Sequence, residues 1–416
     1  MKFLKAHLSS SFLDLTKGHL VSQFIGALGS VYVAKIYGAN LLGVFSVYYT
    51  VTMIFSSFNT GRLESMLFLE QQTTKRRNNL TGLLWIILMS SILLFSLSFL
   101  VSNQIIHKYF VSRTVLYFAI LTAMLKSMST LFQSMNLFSE NFKKLKKAKI
   151  LFTIVRYFLQ FLFFYLSIQT LGLVLGYLIA SVIILLYYFN GGEIIIKKLN
   201  IAMFKRSIKD HMEILKYAIS GDAINTIAVN VFPVLLLATY GEELTGNYFM
   251  AFLILSIPLA FLQSVISPVF FQKSVVLFQE ESHDQLLKYT QSIVKRIFLM
   301  ISIPLLLLLL FGEDIIVLIF KEDWRSTGKF VQIFALMYGF RVLYSPISSL
   351  EETLKKNKIS LMVNIYFMLV LFVSLYVGKN DFTIFQISTC ISIFMSLGYC
   401  FLLVYFFGLL KAKIVV

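Results

Sequence analysis

Four basic side chains interrupt long apolar runs in this sequence: Arg62, Lys126, Arg156 and Arg341. Ionisable groups at membrane depth are costly, so they face a bundle interior or a water-filled cavity and seek opposite charge. Polar residues accompany them at helical spacing. Thr122, Lys126, Ser129 and Gln133 are spaced 4, 3 and 4 apart, which sets them on one helix face. Lys149, Thr153, Arg156 and Gln160 repeat that spacing, and Tyr338, Arg341, Ser345 and Ser348 form a third stripe. Asn59, Thr60, Arg62 and Glu64 cluster in another segment, and Asp222, Asn225, Thr226 and Asn230 make a further polar face. A polar stripe on an apolar helix needs another polar surface or water opposite it. Several stripes predict a shared hydrated cavity, lined by Thr122, Ser129, Gln133, Thr153, Gln160, Asn225 and Tyr338. Its chemistry would be the binding of an anion, because cations outnumber the acids Glu64 and Asp222.

Other uses of these residues stay open at this level. The cations could form interhelical ion pairs, such as Arg156 with Asp222. Asp222 could be such a partner or a proton or sodium site, and Glu64 is a second candidate for ion coupling. Glu64 follows Arg62 by two residues, so the two point to different faces. Lys35, three residues before Gly38, could snorkel to outer headgroups or guard an exit from the cavity. Reaction chemistry has little support. G-x-x-x-x-G-K-[ST], H-E-x-x-H and Asp-x-Asp are all absent, and the five histidines lack ligand spacing. No metal, cofactor or enzymatic activity is expected.

The elements that must hold these residues follow from composition. Hydrophobic residues make up 58% of the chain and charged ones 14%, against about 25% charged in a soluble domain. A helix needs about 20 apolar residues to cross a bilayer. Twelve such runs are predicted, at 16–37, 41–69, 80–102, 112–136, 147–168, 170–189, 214–239, 244–272, 293–311, 329–350, 358–377 and 382–409. Residues 312–320 are apolar but short and read as a re-entrant or interfacial piece. Residues 1–14 read as a basic interfacial anchor with no cleavable signal peptide. Phe and Tyr are abundant and read mainly as lipid-facing bulk and interfacial belts.

The net charge of +17 is topological and does not point to nucleic acid. With the N-terminus in the cytoplasm, 26 of the 37 Lys and Arg fall on the inner side, 7 on the outer side and four within spans. That asymmetry is the positive-inside rule, and it predicts a multi-pass membrane protein with both termini in the cytoplasm. Membrane lipids are therefore expected partners. Residues 196–213 form a basic amphipathic linker on the inner surface. It joins a six-helix lobe at 1–195 to another at 214–416. All five prolines, Pro233, Pro258, Pro268, Pro304 and Pro346, fall in spans of the second lobe, where they kink helices or serve as hinges.

The two lobes share a turn. Tyr37-Gly38-Ala39-Asn40-Leu41-Leu42-Gly43 and Tyr240-Gly241-Glu242-Glu243-Leu244-Thr245-Gly246 both read Y-G-x-x-L-x-G, 203 residues apart. Internal duplication of this kind is typical of transporters.

The residues around these turns resemble a known family. Ala34-Lys35-Ile36-Tyr37-Gly38 followed by Gly43-Val44-Phe45 resembles the first helix turn of bacterial polysaccharide flippases. These belong to the multidrug/oligosaccharidyl-lipid/polysaccharide exporter superfamily. The stretch Gly61-Arg62-Leu63-Glu64-Ser65-Met66-Leu67-Phe68-Leu69 is similar to that family's G-R-Y-E-x-A-I-x-L, with Leu63 for the aromatic and Met66 for the small residue. The turn at 240–246, with Tyr248 and Pro258, resembles its counterpart in the second half. The resemblance implies an all-α membrane protein, two six-helix lobes in a V around a central cationic lumen, working by alternating access. It implies an undecaprenyl-pyrophosphate-linked oligosaccharide as substrate, for O-antigen or capsule synthesis. A polysaccharide polymerase and a chain-length regulator would be partners. A multidrug or cation exporter of the same architecture, or a membrane polymerase or ligase on the same lipid, are the alternatives. Of the cations, only Arg62 sits on a family motif.

Overall fold

The computed structural model describes residues 10–61, 63–70, 72–190, 199–210, 212, 223–354, 356–378 and 381–412. Among them every regular element is helical. Ten helices are long and apolar enough to cross a bilayer. Two of these are double. Helix α1, Ser10–Thr60, leaves helical geometry only at Gly38 (φ 75°, ψ 172°). The other double span is Ala223–Val265, and its helix Phe232–Val265, here α9, leaves helical geometry only at Gly241 (φ 83°, ψ −176°). Both glycines sit at the second position of the repeated turn, and both take a positive φ that a side chain would oppose. The chain reverses at Gly38. Tyr37 donates to the Gln160 carbonyl at 2.6 Å, whereas Phe45 lies against Arg156, about one turn back along the neighbouring helix. Counting each double helix as two passes turns ten helices into the twelve expected spans.

The helices between them are α2 (Met66–Leu69), α3 (Thr73–Leu100), α4 (Asn103–Phe110), α5 (Arg113–Phe138), α6 (Phe142–Tyr165), α7 (Gln169–Phe189) and α8 (Ile201–Asp210). After α9 come α10 (Ser267–Gln279), α11 (His283–Phe320), α12 (Arg325–Tyr344), α13 (Leu350–Thr353), α14 (Asn357–Gly378) and α15 (Ile384–Ala412). The chain forms two compact units, Ser10–Gly246 and Asn247–Val416.

In the first unit the two repeated turns touch backbone to backbone. A Cβ added at Gly43 would lie 2.0 Å from the Glu242 carbonyl oxygen, and one at Gly246 would lie 1.8 Å from that of Ala39. The last glycine of each motif thus seats the other copy. In the second unit, the arm of α9 after Gly241 runs beside α12. Thr327 bonds Asn247 at 2.8 Å, Ser256 meets Tyr338 at 3.4 Å, and Gln263 donates to Ser345.

Three expected boundaries change. The second span ends at Thr60, not 69, because Gly61 (φ 50°) breaks the helix and a 3-10 turn at Leu63–Ser65 follows. The eighth span stops at Val265, and α10 starts afresh with Pro268 in its first turn. Residues 312–320 are no separate piece. They continue α11, which leaves helical geometry only at Phe311 (φ −126°, ψ 18°). Gln332 repairs that break by donating to the Leu309 carbonyl at 2.9 Å, as a freed carbonyl in an apolar setting requires. The short helix α4 has no counterpart among the predicted spans. Arg113 fixes it beside the end of α3, donating to Asn103 Oδ1 at 2.7 Å and to the Val101 carbonyl at 2.9 Å.

Candidate functional site

Helix α6 carries the richest face. It starts at Asn141, whose side chain accepts from the Lys144 backbone N–H. Two turns on, Lys149 meets His19 Nδ1 at 2.5 Å. Thr153 and Ser22 share a hydroxyl bond of 2.7 Å. Arg156 follows. Its guanidinium carbon lies 5.4 Å from the Phe45 ring centroid, 4.7 Å from that of Tyr157 and 4.9 Å from that of Tyr177. Its Nε is buried and has no hydrogen-bond partner. A cation among three aromatic faces gains about 0.5–2 kcal/mol from their quadrupoles, less than the several kcal/mol that desolvating an ion takes.

Helix α5 supplies the second cation. Thr122 is bonded to Tyr48 at 2.6 Å, and Lys126, one turn further, has the Met53 thioether as its hydrogen-bond acceptor at 2.5 Å. A thioether is a weak acceptor for an ammonium. Both partners stand on the second arm of α1. The rings of Tyr48 and Tyr49 each pack edge-on against Tyr177 at 6.0 Å. The structure therefore sets Arg156 among Phe45, Tyr157 and Tyr177, and Lys126 against Met53, one turn beyond Tyr49 on the same arm of α1. In the second unit, Arg341 lies 5.5 Å from the Tyr338 ring. Among the described residues no carboxylate pairs with Lys126, Arg156 or Arg341.

Several predicted lining residues instead hold helices together. Gln160 is 0% exposed and gives its amide to the Leu173 carbonyl. Thr122 is equally buried on Tyr48 and Thr153 is buried on Ser22, whereas Ser129 is buried with its hydroxyl unpartnered. Tyr338 is buried beside Ser256. A periodic polar stripe marks a face that needs polar company, and a neighbouring helix supplies it as well as water does. Gln133, Asn225 and Lys35 are exposed. Glu64 lies beyond the helix in the 3-10 turn. Arg62 and Asp222 fall outside the described residues.

The aromatic wall was not predicted as a site. Phe45, Tyr48, Tyr157 and Tyr177 are buried, so these rings are neither lipid-facing bulk nor a belt. A signal existed: Tyr48, Thr52, Ser56 and Asn59 are spaced 4, 4 and 3 apart, which is the stripe of a helix face.

The profile of a protein family described as "Polysaccharide biosynthesis protein" matches residues 66–328. The chain belongs to this family. It is also 23% identical over 297 residues to a "Teichuronic acid biosynthesis protein TuaB" of Bacillus subtilis (strain 168). That alignment covers 67% of this chain but 58% of the relative. Among solved structures, the fold resembles "Lipid II flippase MurJ, inward closed conformation" with a TM-score of 0.74 at 15% identity, over 96% of this chain and 90% of the other. It resembles an inward-facing multidrug resistance MATE family transporter of the MOP superfamily with a TM-score of 0.60 at 12% identity, over 98% and 97%. These likenesses show that the chain has the fold of known membrane transporters.

Proposed function

We propose that the protein is a flippase carrying undecaprenyl-pyrophosphate-linked oligosaccharide units across a bacterial inner membrane by alternating access, for surface polysaccharide synthesis. The observation that carries this reading is Arg156, a permanent cation whose buried Nε has no partner and whose company is aromatic rather than acidic. A guanidinium so placed is satisfied by a pyrophosphate, which accepts two parallel N–H bonds from its fork. Lys126 adds a second positive charge from helix α5, against Met53 of the same α1 arm, and Arg341 offers the same chemistry in the other unit. A cell-negative potential also favours outward movement of an anion, by about 2.3 kcal/mol per charge per 100 mV. The family supports polysaccharide synthesis as the setting, and so does the relative named for teichuronic acid biosynthesis. An exporter of cationic drugs on the same fold would need acids where these cations stand.

The test is Arg156→Gln and, separately, Arg341→Gln. Each should lower polysaccharide export at least ten-fold at unchanged protein level in the membrane. In proteoliposomes, Arg156→Gln should lose flipping of the lipid-linked pyrophosphate substrate. Full flipping by Arg156→Gln removes Arg156 as the anion site.

A further inference from the structure

Helix α8 is held far more firmly than a linker between transmembrane passes requires. Asn200 caps it, accepting from the Met203 backbone N–H through Oδ1 at 3.0 Å. The same residue is clamped to α3 by two bonds. Its backbone N–H donates to Asn78 Oδ1 at 2.7 Å, and Asn78 Nδ2 donates to its carbonyl at 3.1 Å. Phe204 then seats on Gly82, where an added Cβ would lie 2.5 Å from the ring. Phe204 and Ser207 are buried, with Ile208 partly so, which fixes one face of the helix against α3. The opposite face is thereby fixed too, and it presents Lys205, Arg206 and Lys209, all exposed. Asp210 is the only acid on the helix.

The surroundings share this sign. Arg76 reaches across to Phe138 at the end of α5, 3.3 Å from its ring, and Lys144 donates to the Tyr188 carbonyl at the end of α7 at 3.0 Å. These ties gather residues 75–77, 143–149 and 205–209 at one end of the first unit. They hold eleven Lys and Arg with no acid among them. Such an end lies at the cytoplasmic surface by the positive-inside rule. Ile201, 60% exposed at the start of α8, gives the helix an apolar contact suited to the headgroup–acyl boundary.

We infer that α8, clamped to α3 by Asn78, is a docking ledge that binds the anionic headgroups of inner-leaflet phospholipids through Lys205, Arg206 and Lys209. The ledge is separate from the Arg156 site, and it stands whether or not the substrate is a lipid-linked sugar. Its role is to hold anionic lipid against the inner end of α3, which fixes the height of the first unit in the bilayer.

Each surface Lys or Arg adds roughly a five-fold preference for an anionic membrane surface, so three together should be worth at least about ten-fold after screening. The experiment uses the purified full-length chain in detergent. It is titrated with phosphatidylglycerol, phosphatidylcholine or inorganic phosphate, and bound lipids per chain are counted by native mass spectrometry. The wild type should retain phosphatidylglycerol over phosphatidylcholine, less so at high salt, and inorganic phosphate should not compete at millimolar concentration. The triple variant Lys205→Gln/Arg206→Gln/Lys209→Gln should lower the phosphatidylglycerol preference at least ten-fold. Asn78→Ala keeps the charges but releases the clamp, and should lower it as well. An undiminished preference in the triple variant overturns the ledge, as does equal retention of the two lipids by the wild type, the result expected if the basic face serves an acidic protein instead.

Discussion

At the scale of single residues, the interior cations cost stability. Lys126 faces a thioether and Arg156 faces rings, so neither recovers the full cost of leaving water. Replacing Lys126 by Met keeps the length and removes the charge. The variant should unfold at the same or a higher temperature than wild type when solubilised, while export falls; a large drop in thermal midpoint would mean that Lys126 is structural. Tyr48 makes the opposite case. Its hydroxyl bond to Thr122 joins α1 to α5, and Thr122 keeps a second bond to the Phe118 carbonyl at 2.7 Å. Tyr48→Phe should therefore lower stability by only about 1 kcal/mol, read as a small fall in the thermal midpoint.

At the scale of elements, the repeated turn uses its two glycines for different reasons. Gly38 needs a positive φ, and nothing lies within 4 Å of an added Cβ. Gly38→Ala should thus cost about 1–3 kcal/mol through backbone strain alone, since φ 75° with ψ 172° is a conformation essentially only glycine adopts. Gly43 is helical in its backbone but has the Glu242 carbonyl where a methyl would sit. Gly43→Ala must push the second turn away and should destabilise more than Gly38→Ala. Adding Gly246→Ala should bring little further loss, since both substitutions break one contact. Thermal unfolding of the three variants checks this order, and equal effects at Gly38 and Gly43 would contradict the backbone contact. The motif was legible in the sequence as a repeat. That its copies pack on each other was not, because a spacing of 203 residues carries no information about proximity.

At the scale of the molecule, charge sorts the loops and apolar length sets the passes. A cysteine in place of exposed Lys108, in a chain with Cys390 and Cys400 replaced by Ser, should react with an impermeant maleimide added to intact cells. One in place of Lys205 should react only after permeabilisation; the reverse pattern would invert the topology. Twelve passes, their order and the basic loops were readable from composition because lipid imposes a length of about 20 apolar residues on every crossing. The boundaries at Thr60 and Val265, and the continuity of α11 through Phe311, were not. Each is decided by one local backbone or side-chain event that hydropathy averages away.

The candidate site divides along the same line. Residue type and periodicity sufficed to pick Lys126 and Arg156 as costly interior cations, since burial of charge is penalised on any helix. Periodicity also marked Thr122, Thr153 and Gln160, but it cannot say whether water or a neighbouring helix satisfies them. Only packing answers that, because a hydrogen-bond partner such as the Leu173 carbonyl for Gln160 is a matter of which helices touch. The aromatic wall belongs to packing in the same way. Phe45, Tyr157 and Tyr177 come from three separate helices and meet around one guanidinium, a convergence that exists only once the chain is folded.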